Sequence, residues 1–467
     1  TNTARIARGA DSVFYIQESL VLPEVTVRPS PYATIVVAPG KTVSYDNCLI
    51  TGNQVEFSLI GFRYSDVANA LSGDGLIFIN RGTLPLATIV SGTGNRLVGS
   101  GGVSGPIILS DDASELRCGI EGALSANITL NGGTIILERD LYLAQGAILD
   151  GEGTMTAGPY TIIVGSDASW TSTIAWVGTD ATVELGGNVD LSGTWTFSGQ
   201  NTISAYGSTI DLSGGGALVV DTDSQLTIRD ARISGLHEEN IRCVDGTGAI
   251  TFDNVFLVLD DDFTFSIGSM AFKDLVGIIG DGFVFAYQSQ ETSTILPNST
   301  LRLDDGVTFS YDPAFNDSQD LLCLYDRTAK LELLGTTLYI TDTGMRITTG
   351  QIHVRRDSDV YASGDYGLIF GDDTAPHDVV ISVDSGIALN IRQGTLQYRN
   401  VSTSSVFMGN YVSRIALHPS SNFYLYETID LGTGSLEFYD NTVLARVPGT
   451  SIIGSVSIFG SVIYASL

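Results

Sequence analysis

Clusters of aspartate are the residues in this sequence whose type and spacing come closest to a chemical site. Loop carboxylates are ligands that Ca²⁺ prefers, and the ion takes about six to eight oxygen ligands. Aspartate is also the common residue of solvated turns, and the repeated glycine-rich nonapeptide of calcium-loaded coils is missing here. We therefore expect either no cofactor or bound calcium, and both interpretations stay open. The candidate calcium ligands are Asp260, Asp261, Asp262, Asp304 and Asp305.

Other reactive side chains are too scattered to form a recognisable site. The histidines lack the spacing of zinc ligands, which argues against a zinc site. The cysteines include no closely spaced pair, so we expect buried free thiols. The tryptophans, with Tyr160, can form a strip for stacking sugars, but their apolar neighbours favour a place in the core. These residues are His237, His353, His377 and His418; Cys48, Cys118, Cys243 and Cys323; and Trp170, Trp176 and Trp195.

Composition excludes several classes of partner and of protein. The chain of 467 residues carries 52 Asp and Glu against 23 Lys and Arg, a net charge of −29, which argues against nucleic acid binding. No uninterrupted apolar stretch approaches the length of about 18 residues that a membrane-spanning helix needs. The sequence begins at Thr1 and not at Met, so we expect a processed protein that is secreted or exposed at the cell surface.

The elements that must position these side chains are short strands, and the stretch Ala181–Leu212 indicates them most clearly. Within it, Val183 and Leu185 flank one polar residue, and so do Trp195 and Phe197. Side chains alternate across a strand, so each pair places two apolar groups on one face. Corners of Gly and Ser follow each pair and let the chain bend into the next strand. Strands and bends repeated this tightly predict a coil whose turns stack on one another.

A longer repeat gives the size of one turn. The segment Ser224–Ser234 aligns with Gly248–Val258, about 24 residues later, and paired apolar residues recur to the end of the chain. One turn is then about 20 to 24 residues, or three short strands. Longer gaps at Ala286–Asn298 and Asp312–Asp326 indicate insertions at corners. We predict an all-β fold, a single long parallel β-solenoid of roughly twenty turns with very little helix.

The regularity of this rhythm suggests a division of the chain. Residues 1–30 are dense in proline, which stops regular strand pairing, so we expect an N-terminal arm or cap. Residues 31–122 contain unevenly spaced strands and are predicted to form irregular first turns. Residues 123–467 are predicted to form the regular solenoid, which ends without a polar cap.

Repeat length and phrase shape, as in the segment LTIRDARISG at Leu226–Gly235, resemble those of right-handed parallel β-helices of the pectate-lyase-like class. This class includes polysaccharide lyases, phage tailspikes, adhesins and bacterial surface proteins. The segments VLDDDFTF and LRLDDGVTFSYDP also resemble those of large repetitive secreted proteins of host-associated bacteria. The resemblance implies a right-handed coil, and it is specific for fold and weak for function.

The same resemblance says where catalytic groups would lie. A pectin-hydrolase-like site would contain Asn-Thr-Asp, paired aspartates, Gly-His-Gly and Arg-Ile-Lys on consecutive turns. Paired aspartates occur here, and the other three strings are absent. A lyase-like site would need carboxylates that hold Ca²⁺ beside a basic residue that takes the proton, and the best residues are Asp260–Asp262 with Arg229 or Arg232. Acid and base groups must also be fixed at a suitable separation. We expect no enzymatic activity.

The last residues predict how the protein associates. A solenoid must hide its terminal turns, because an open turn has unpaired backbone groups and an uncovered core. The segment GTSIIGSVSIFGSVIYASL stays apolar and strand-like, with no charged residue after Arg446. We expect it to pair with the first turns of another copy or with the N-terminal segment Val13–Leu22 of that copy. The predicted interface residues are Val13, Phe14, Tyr15, Ile16, Leu20, Ile452, Val456, Ile458, Val462 and Tyr464.

The expected function is that of a structural, extracellular or cell-surface protein that assembles head to tail into a filament or surface fibre. Its expected partners are copies of itself, together with host or environmental glycans if the fibre is adhesive. Two alternatives stay open. The N-terminal arm can fold back over its own solenoid end and leave a monomer, or the protein can be a β-helix that binds or cleaves polysaccharides.

Overall fold

The computed structural model describes two parts of the chain at different depth. Between Val13 and Asn80 it describes the backbone of strands only. From Thr88 onward it describes the chain apart from residues 125–126, 167, 314–318, 342, 374–377 and 400–405, and side chains there except those of residues 168 and 169. The chain divides into two compact units, unit 1 at Thr1–Leu226 and unit 2 at Thr227–Leu467.

Every regular element in the described residues is a β-strand, so the predicted all-β class is confirmed. The first half of the strands is β1 Val13–Ile16, β2 Leu20–Pro23, β3 Thr26–Val27, β4 Ala33–Val37, β5 Val43–Asp46, β6 Leu49–Thr51, β7 Val55–Leu59, β8 Asn69–Ser72, β9 Ile77–Asn80, β10 Thr88–Ser91, β11 Asn95–Gly99, β12 Ile107–Leu109, β13 Glu115–Ile120, β14 Ile128–Thr129, β15 Thr134–Leu137, β16 Leu141–Leu143, β17 Leu149–Asp150, β18 Glu152–Gly158, β19 Thr161–Val164, β20 Ala168–Trp170, β21 Thr173–Leu185, β22 Val189–Leu191, β23 Thr194–Ser204, β24 Thr209–Asp211 and β25 Ala217–Val220. The second half is β26 Gln225–Glu238, β27 Ile241–Cys243, β28 Ala249–Phe265, β29 Ser269–Lys273, β30 Leu275–Ile279, β31 Val284–Tyr287, β32 Ser293–Ile295, β33 Thr300–Asp304, β34 Thr308–Tyr311, β35 Leu322–Leu324, β36 Lys330–Leu334, β37 Thr337–Ile340, β38 Met345–Ile347, β39 Thr349–Arg356, β40 Ser358–Ala362, β41 Leu368–Phe370, β42 Asp378–Val383, β43 Ala388–Tyr398, β44 Val406–Met408, β45 Arg414–Leu417, β46 Ser421–Leu425, β47 Ile429–Tyr439, β48 Thr442–Arg446, β49 Ile452–Phe459 and β50 Val462–Ser466.

Both units are parallel β-solenoids, about 16 turns in all. The described strand pairs are parallel and join strands about one turn apart along the chain, as β21 and β23 are joined. In that pair Ile174 lies beside Trp195 and Trp176 beside Phe197, so the same column of the sheet stays apolar from turn to turn. None of the described residues forms a helix long and apolar enough to cross a membrane. The handedness of the coil stays a prediction.

Alternating side chains build the core of unit 1 as the sequence predicts. Trp170, Trp176 and Trp195 are at most 1% exposed, and the rings of Trp170 and Trp195 are 4.7 Å apart between centroids. Such aromatic pairs add about 0.5 to 1.5 kcal/mol beyond the burial of their area. The tryptophans are therefore core residues, and the alternative of a sugar-stacking strip is wrong.

Corners of unit 2 use residues that tolerate a left-handed backbone. Asp230, Asn254 and Asp274 have φ angles of 51°, 57° and 55°. Aspartate and asparagine adopt this region more readily than other residues with a Cβ atom. The Asn254 amide also donates to the Asp230 carboxylate over 2.7 Å, which joins two successive corners. Many of the acidic residues thus have a local role in bending the chain.

Turn length varies more than the sequence suggests. Hydrogen-bonded residues of neighbouring turns are 21 positions apart at Asp140 and Thr161 but 30 apart at Arg302 and Glu332. The fold has about 16 turns instead of the predicted number of roughly twenty, because these long turns use more of the chain.

Buried tyrosines hold the insertion after β34. The rings of Tyr287 and Tyr311 stack with centroids 5.9 Å apart. The Tyr287 hydroxyl donates to the Leu321 carbonyl over 3.0 Å, and the Leu321 N–H donates to the Tyr311 hydroxyl over 3.0 Å. The insertion predicted at Asp312–Asp326 is therefore fixed to the core at Leu321.

Candidate assembly interface

The turn made by β49 and β50 presents an open sheet edge in unit 2. Strand β49 pairs in parallel with β47, and β50 pairs in parallel with β48. Among the described residues, the opposite edge of each strand has no partner strand. A free edge presents backbone N–H and C=O groups to any strand that can lie parallel to it. We call β49 and β50 with Leu467 the terminal turn.

The inward side chains of the terminal turn continue the core columns of the turn below. In the ladder Val456 pairs with Leu436, and Ile458 pairs with Phe438. Leu436 and Phe438 are 0% and 1% exposed, whereas Val456 and Ile458 are 42% and 47% exposed. The core of unit 2 is therefore open at this turn.

Exposed apolar residues concentrate here more than anywhere else in the described chain. Seven of the nineteen exposed large hydrophobic residues lie between Ile453 and the last residue. An apolar patch of this kind marks an interaction surface more often than a solvated one. The side chains of the patch carry no charge. The seven residues are Ile453, Val456, Ile458, Phe459, Ile463, Tyr464 and Leu467.

An aromatic column also ends at the terminal turn. The rings of His418 and Tyr439 stack with centroids 4.8 Å apart and planes 3° apart. Tyr439 stacks in turn on Phe459, with centroids 5.2 Å apart and planes 25° apart. Phe459 is 51% exposed. Stacked rings cover each other's faces, so the ring of Phe459 is the one in this column that can stack on a further group.

A corner aspartate fixes the two strands of the terminal turn to the turn below. The Asp440 carboxylate accepts a hydrogen bond from the Ser461 N–H over 2.9 Å and another from the Ser461 hydroxyl over 2.6 Å. These bonds hold the pKa of Asp440 below its ordinary value. The Asp440 carboxylate thus fixes the position of Ser461, which lies in the loop between β49 and β50.

The predicted interface residues divide into two groups. Within the terminal turn Val456, Ile458 and Tyr464 are exposed, and Ile452 and Val462 are half-buried. The other predicted residues are Val13, Phe14, Tyr15, Ile16 and Leu20, whose side chains lie outside the described residues. Their backbone forms β1, which pairs in parallel with β4, and the start of β2, which pairs with β5.

Sequence reasoning missed the outward half of this surface. Ile453 and Phe459 occupy the positions that Asp430 and Tyr439 hold one turn below. Outward positions are usually polar in a half-buried strand. Large apolar residues at both the inward and the outward positions of β49 could therefore have predicted an apolar outer face. His418 carried no such signal, because its contact with Tyr439 depends on the length of the turn between them.

The aspartates proposed as calcium ligands serve the backbone in this structure. The Asp262 carboxylate accepts from the Val284 N–H over 2.8 Å, and the Asp304 carboxylate accepts from the Asp305 N–H over 2.8 Å. Asp260 and Asp261 are exposed beside them. No three His, Cys, Asp or Glu side chains in the described residues are placed to hold one metal ion. Calcium binding stays a prediction.

The basic residue considered for a lyase-like site has a different partner. The Arg229 side chain lies 3.3 Å from the Asp253 carboxylate, and Lys273 lies 2.9 Å from the same carboxylate. The Asp253 side chain is only 6% exposed, so it needs these two cations in place of water. Arg229 therefore stabilises a column of unit 2.

The densest charged cluster of unit 2 lies on one sheet, around Glu332. Its carboxylate, 9% exposed, accepts from the Arg302 guanidinium over 2.9 Å and lies 3.6 Å from His353 Nδ1. His353 Nε2 lies 2.8 Å from the Asp384 carboxylate, and Arg355 lies 3.7 Å from both acids. The sequence could not reveal this cluster, because its members are separated by long turns of unequal length. Both acids are already neutralised by bases, which is typical of a structural ion-pair ladder.

Comparison of the chain with protein-family models, with curated proteins and with solved structures gave no match. Fold alone does not determine function. The two features of the described residues that bear on function are the terminal turn and the charged sheet around Glu332.

Proposed function

We propose that this protein is a structural β-solenoid whose copies associate end to end through the terminal turn. The observation that carries the proposal is the exposure of Val456 and Ile458 directly above the fully buried Leu436 and Phe438. Covering such side chains releases about 25 cal/mol for each square ångström of apolar surface removed from water. The favourable partner is a layer that continues both the sheet and the core.

A second copy of this chain can supply such a layer. A layer that continues the solenoid lies parallel to β49 and β50, because the described strand pairs are parallel. The first strands, β1 and β3, pair in parallel with β4 and β6 through one edge, and no other partner strand is described for them. A contact between the last turn of one copy and the first turn of the next is head to tail. Repetition of such a contact gives an open filament unless its rotation closes a ring.

Charge also favours this contact over others. With a net charge of −29, two copies repel each other through most of their surfaces. The terminal turn has no charged side chain, so it is the surface where repulsion is weakest. Apolar burial can then exceed the remaining repulsion, particularly at physiological salt, where the screening length is about 8 Å.

We propose further that the filament acts outside the cell, as a surface fibre or secreted structure, with adhesion to host or environmental glycans as one role. Support comes from the resemblance to secreted and surface β-helix proteins of bacteria. The stacked parallel strands and the absence of charged side chains on the terminal turn fit a protein that builds a fibre.

The second candidate function is binding or cleavage of polysaccharides, in the manner of the pectate-lyase-like class. The observation in its favour is the cluster of Glu332, Asp384, His353 and Arg302 on one sheet. A paired carboxylate and a basic residue are the groups that such chemistry uses. The mutual pairing of these groups makes the structural role the better supported one.

Light scattering on the purified full chain tests the assembly proposal. Val456→Asp places a charge on the terminal turn and is expected to shift the protein from large assemblies to monomers. Val244→Asp is the matched control, because Val244 is also exposed but lies elsewhere in unit 2. Deletion of residues 1–22 tests the opposite end of the contact. Equal masses for the unchanged chain, Val456→Asp and the deletion would contradict the proposal.

A further inference from the structure

We propose that acidification weakens the end-to-end contact because His418 must stay neutral to support the aromatic column beneath the terminal turn. The inference rests on the proposed function, since it names a regulation of that same surface. His418 lies one turn below Tyr439 and two turns below the exposed ring of Phe459.

Hydrogen bonding assigns the neutral form of the ring. The Arg392 guanidinium lies 3.4 Å from His418 Nδ1, and the Asn390 side-chain oxygen lies 3.3 Å from His418 Nε2. Arginine has only donors, so Nδ1 must accept, and Nε2 then carries the proton and donates to Asn390. This is the neutral tautomer with the proton on Nε2.

Protonation would place a second N–H on the ring, at Nδ1. That N–H would point at the N–H groups of Arg392, so the contact would become one of donor against donor and cation against cation. The ring then turns or moves away from Arg392, and its near-parallel stack on Tyr439 is lost. Strand β47 carries Tyr439 and is the strand on which β49 pairs. A disturbed column therefore loosens the layer that binds the next copy.

Charged groups of the neighbouring strands act on the protonation of His418 in opposite directions. Arg392 of β43 and Arg414 of β45 oppose its protonation, whereas Asp359 of β40 and Glu437 of β47 favour it. Both acids already have partners. Asp359 accepts from Arg392 over 3.0 Å and from Asn390 over 2.9 Å, and Glu437 accepts from the Tyr439 hydroxyl over 3.1 Å and lies 3.5 Å from Arg414.

The balance of these groups sets the pH range of the effect. Burial of the ring, followed by the charge of Arg392, holds the pKa of His418 below its ordinary value of 6.5. A depressed histidine pKa means that the folded turn is stabilised above 6.5 and loses this stability as the pH falls below it.

Loss of negative charge on acidification acts in the opposite direction, because it reduces repulsion between copies. A matched variant separates the two effects. His418→Phe keeps a flat ring under Tyr439 and cannot titrate. All other titrating groups, including His353 between its two acids, are common to the unchanged chain and the variant.

The experiment is sedimentation velocity of the full chain and of His418→Phe at a series of pH values from 7.5 down to about 5. We expect the associated species of the unchanged chain to be lost as the pH falls across this range, and to be lost less in the variant, because only the unchanged chain can be protonated at position 418. Identical pH profiles would overturn the inference. Hydrogen exchange of β47 and β49 in the same samples gives a second readout. If no association occurs at any pH, the assembly proposal fails, while a pH-dependent loss of protection that is present in the unchanged chain and absent from His418→Phe would still establish the switch.

Discussion

Val456 lies directly above Leu436 in the parallel ladder between β47 and β49, yet Leu436 is completely buried and Val456 is 42% exposed. The two residues occupy the same core column, one turn apart. What differs is the layer above them, which is present for Leu436 and open for Val456. The assembly proposal follows from this difference, since a parallel layer of another copy would restore for Val456 the environment that Leu436 already has.

The ion-pair cluster of unit 2 gives a prediction about stability. Glu332→Gln removes the charge that neutralises Arg302 and is expected to cost about 1.5 to 3 kcal/mol in the local opening free energy of β33 and β36. Hydrogen exchange with mass spectrometry measures this quantity. The exposed Glu427 offers a control, and Glu427→Gln should cost less than about 0.5 kcal/mol. Equal protection in the two variants would show that the cluster adds no stability.

Asp440 gives a prediction with a defined dependence on pH. Its hydrogen bonds to Ser461 hold its pKa below the ordinary value of 3.8, so their stabilisation is present above 3.8 and is lost as the pH falls below it. At neutral pH, Asp440→Ala is expected to speed the exchange of the Ser461 amide, because its acceptor is gone. Asp365→Ala, at an exposed acid elsewhere in unit 2, is the control. Unchanged Ser461 exchange in Asp440→Ala would refute this role.

Cysteine labelling provides a prediction about the core. Burial raises the pKa of Cys118 to about 11 and that of Cys243 to about 12, so both thiols stay protonated at pH 8. Because the thiolate is the reactive form, iodoacetamide should modify neither residue until the protein unfolds. Cys323 is only half-buried and should react first among the three. Rapid labelling of Cys118 in the native protein would mean that its turn opens readily. Cys48 lies outside the described residues.

Enzymatic activity is the prediction that separates the two candidate functions. Incubation with pectin, alginate and neutral glycans should release neither reducing ends nor unsaturated products, because Asp262 accepts a hydrogen bond from a backbone N–H and Glu332 is paired with Arg302. Turnover that persists in the double variant Asp261→Ala, Asp262→Ala but disappears in Glu332→Gln would place a catalytic site on the charged sheet. Turnover that disappears in the double variant would place a lyase-like site at Asp261 and Asp262.

The strands and the core could be predicted from the sequence because they depend on neighbours two positions apart. Val183 with Leu185 and Trp195 with Phe197 show the alternation directly, and all four are buried. Contacts between turns depend on how many residues each corner loops out. Arg302 and Glu332 are 30 residues apart, although most turns of unit 1 take 21, and no local pattern specifies that number.

The apolar face of the terminal turn was predictable for the same local reason. Its inward residues Ile452, Val456 and Ile458 follow the alternation of earlier strands. The aromatic column was not, because His418, Tyr439 and Phe459 meet only when the turns between them have the right length. Prediction from sequence is thus strongest within a strand and weakest across a turn.

Electron microscopy of the purified full chain at neutral pH tests the assembly proposal most directly. We predict unbranched fibres whose repeat along the axis equals one copy. Val456→Asp is expected to abolish them and Val244→Asp is not. If the unchanged chain shows only separate single particles even at high protein concentration, the assembly proposal is contradicted.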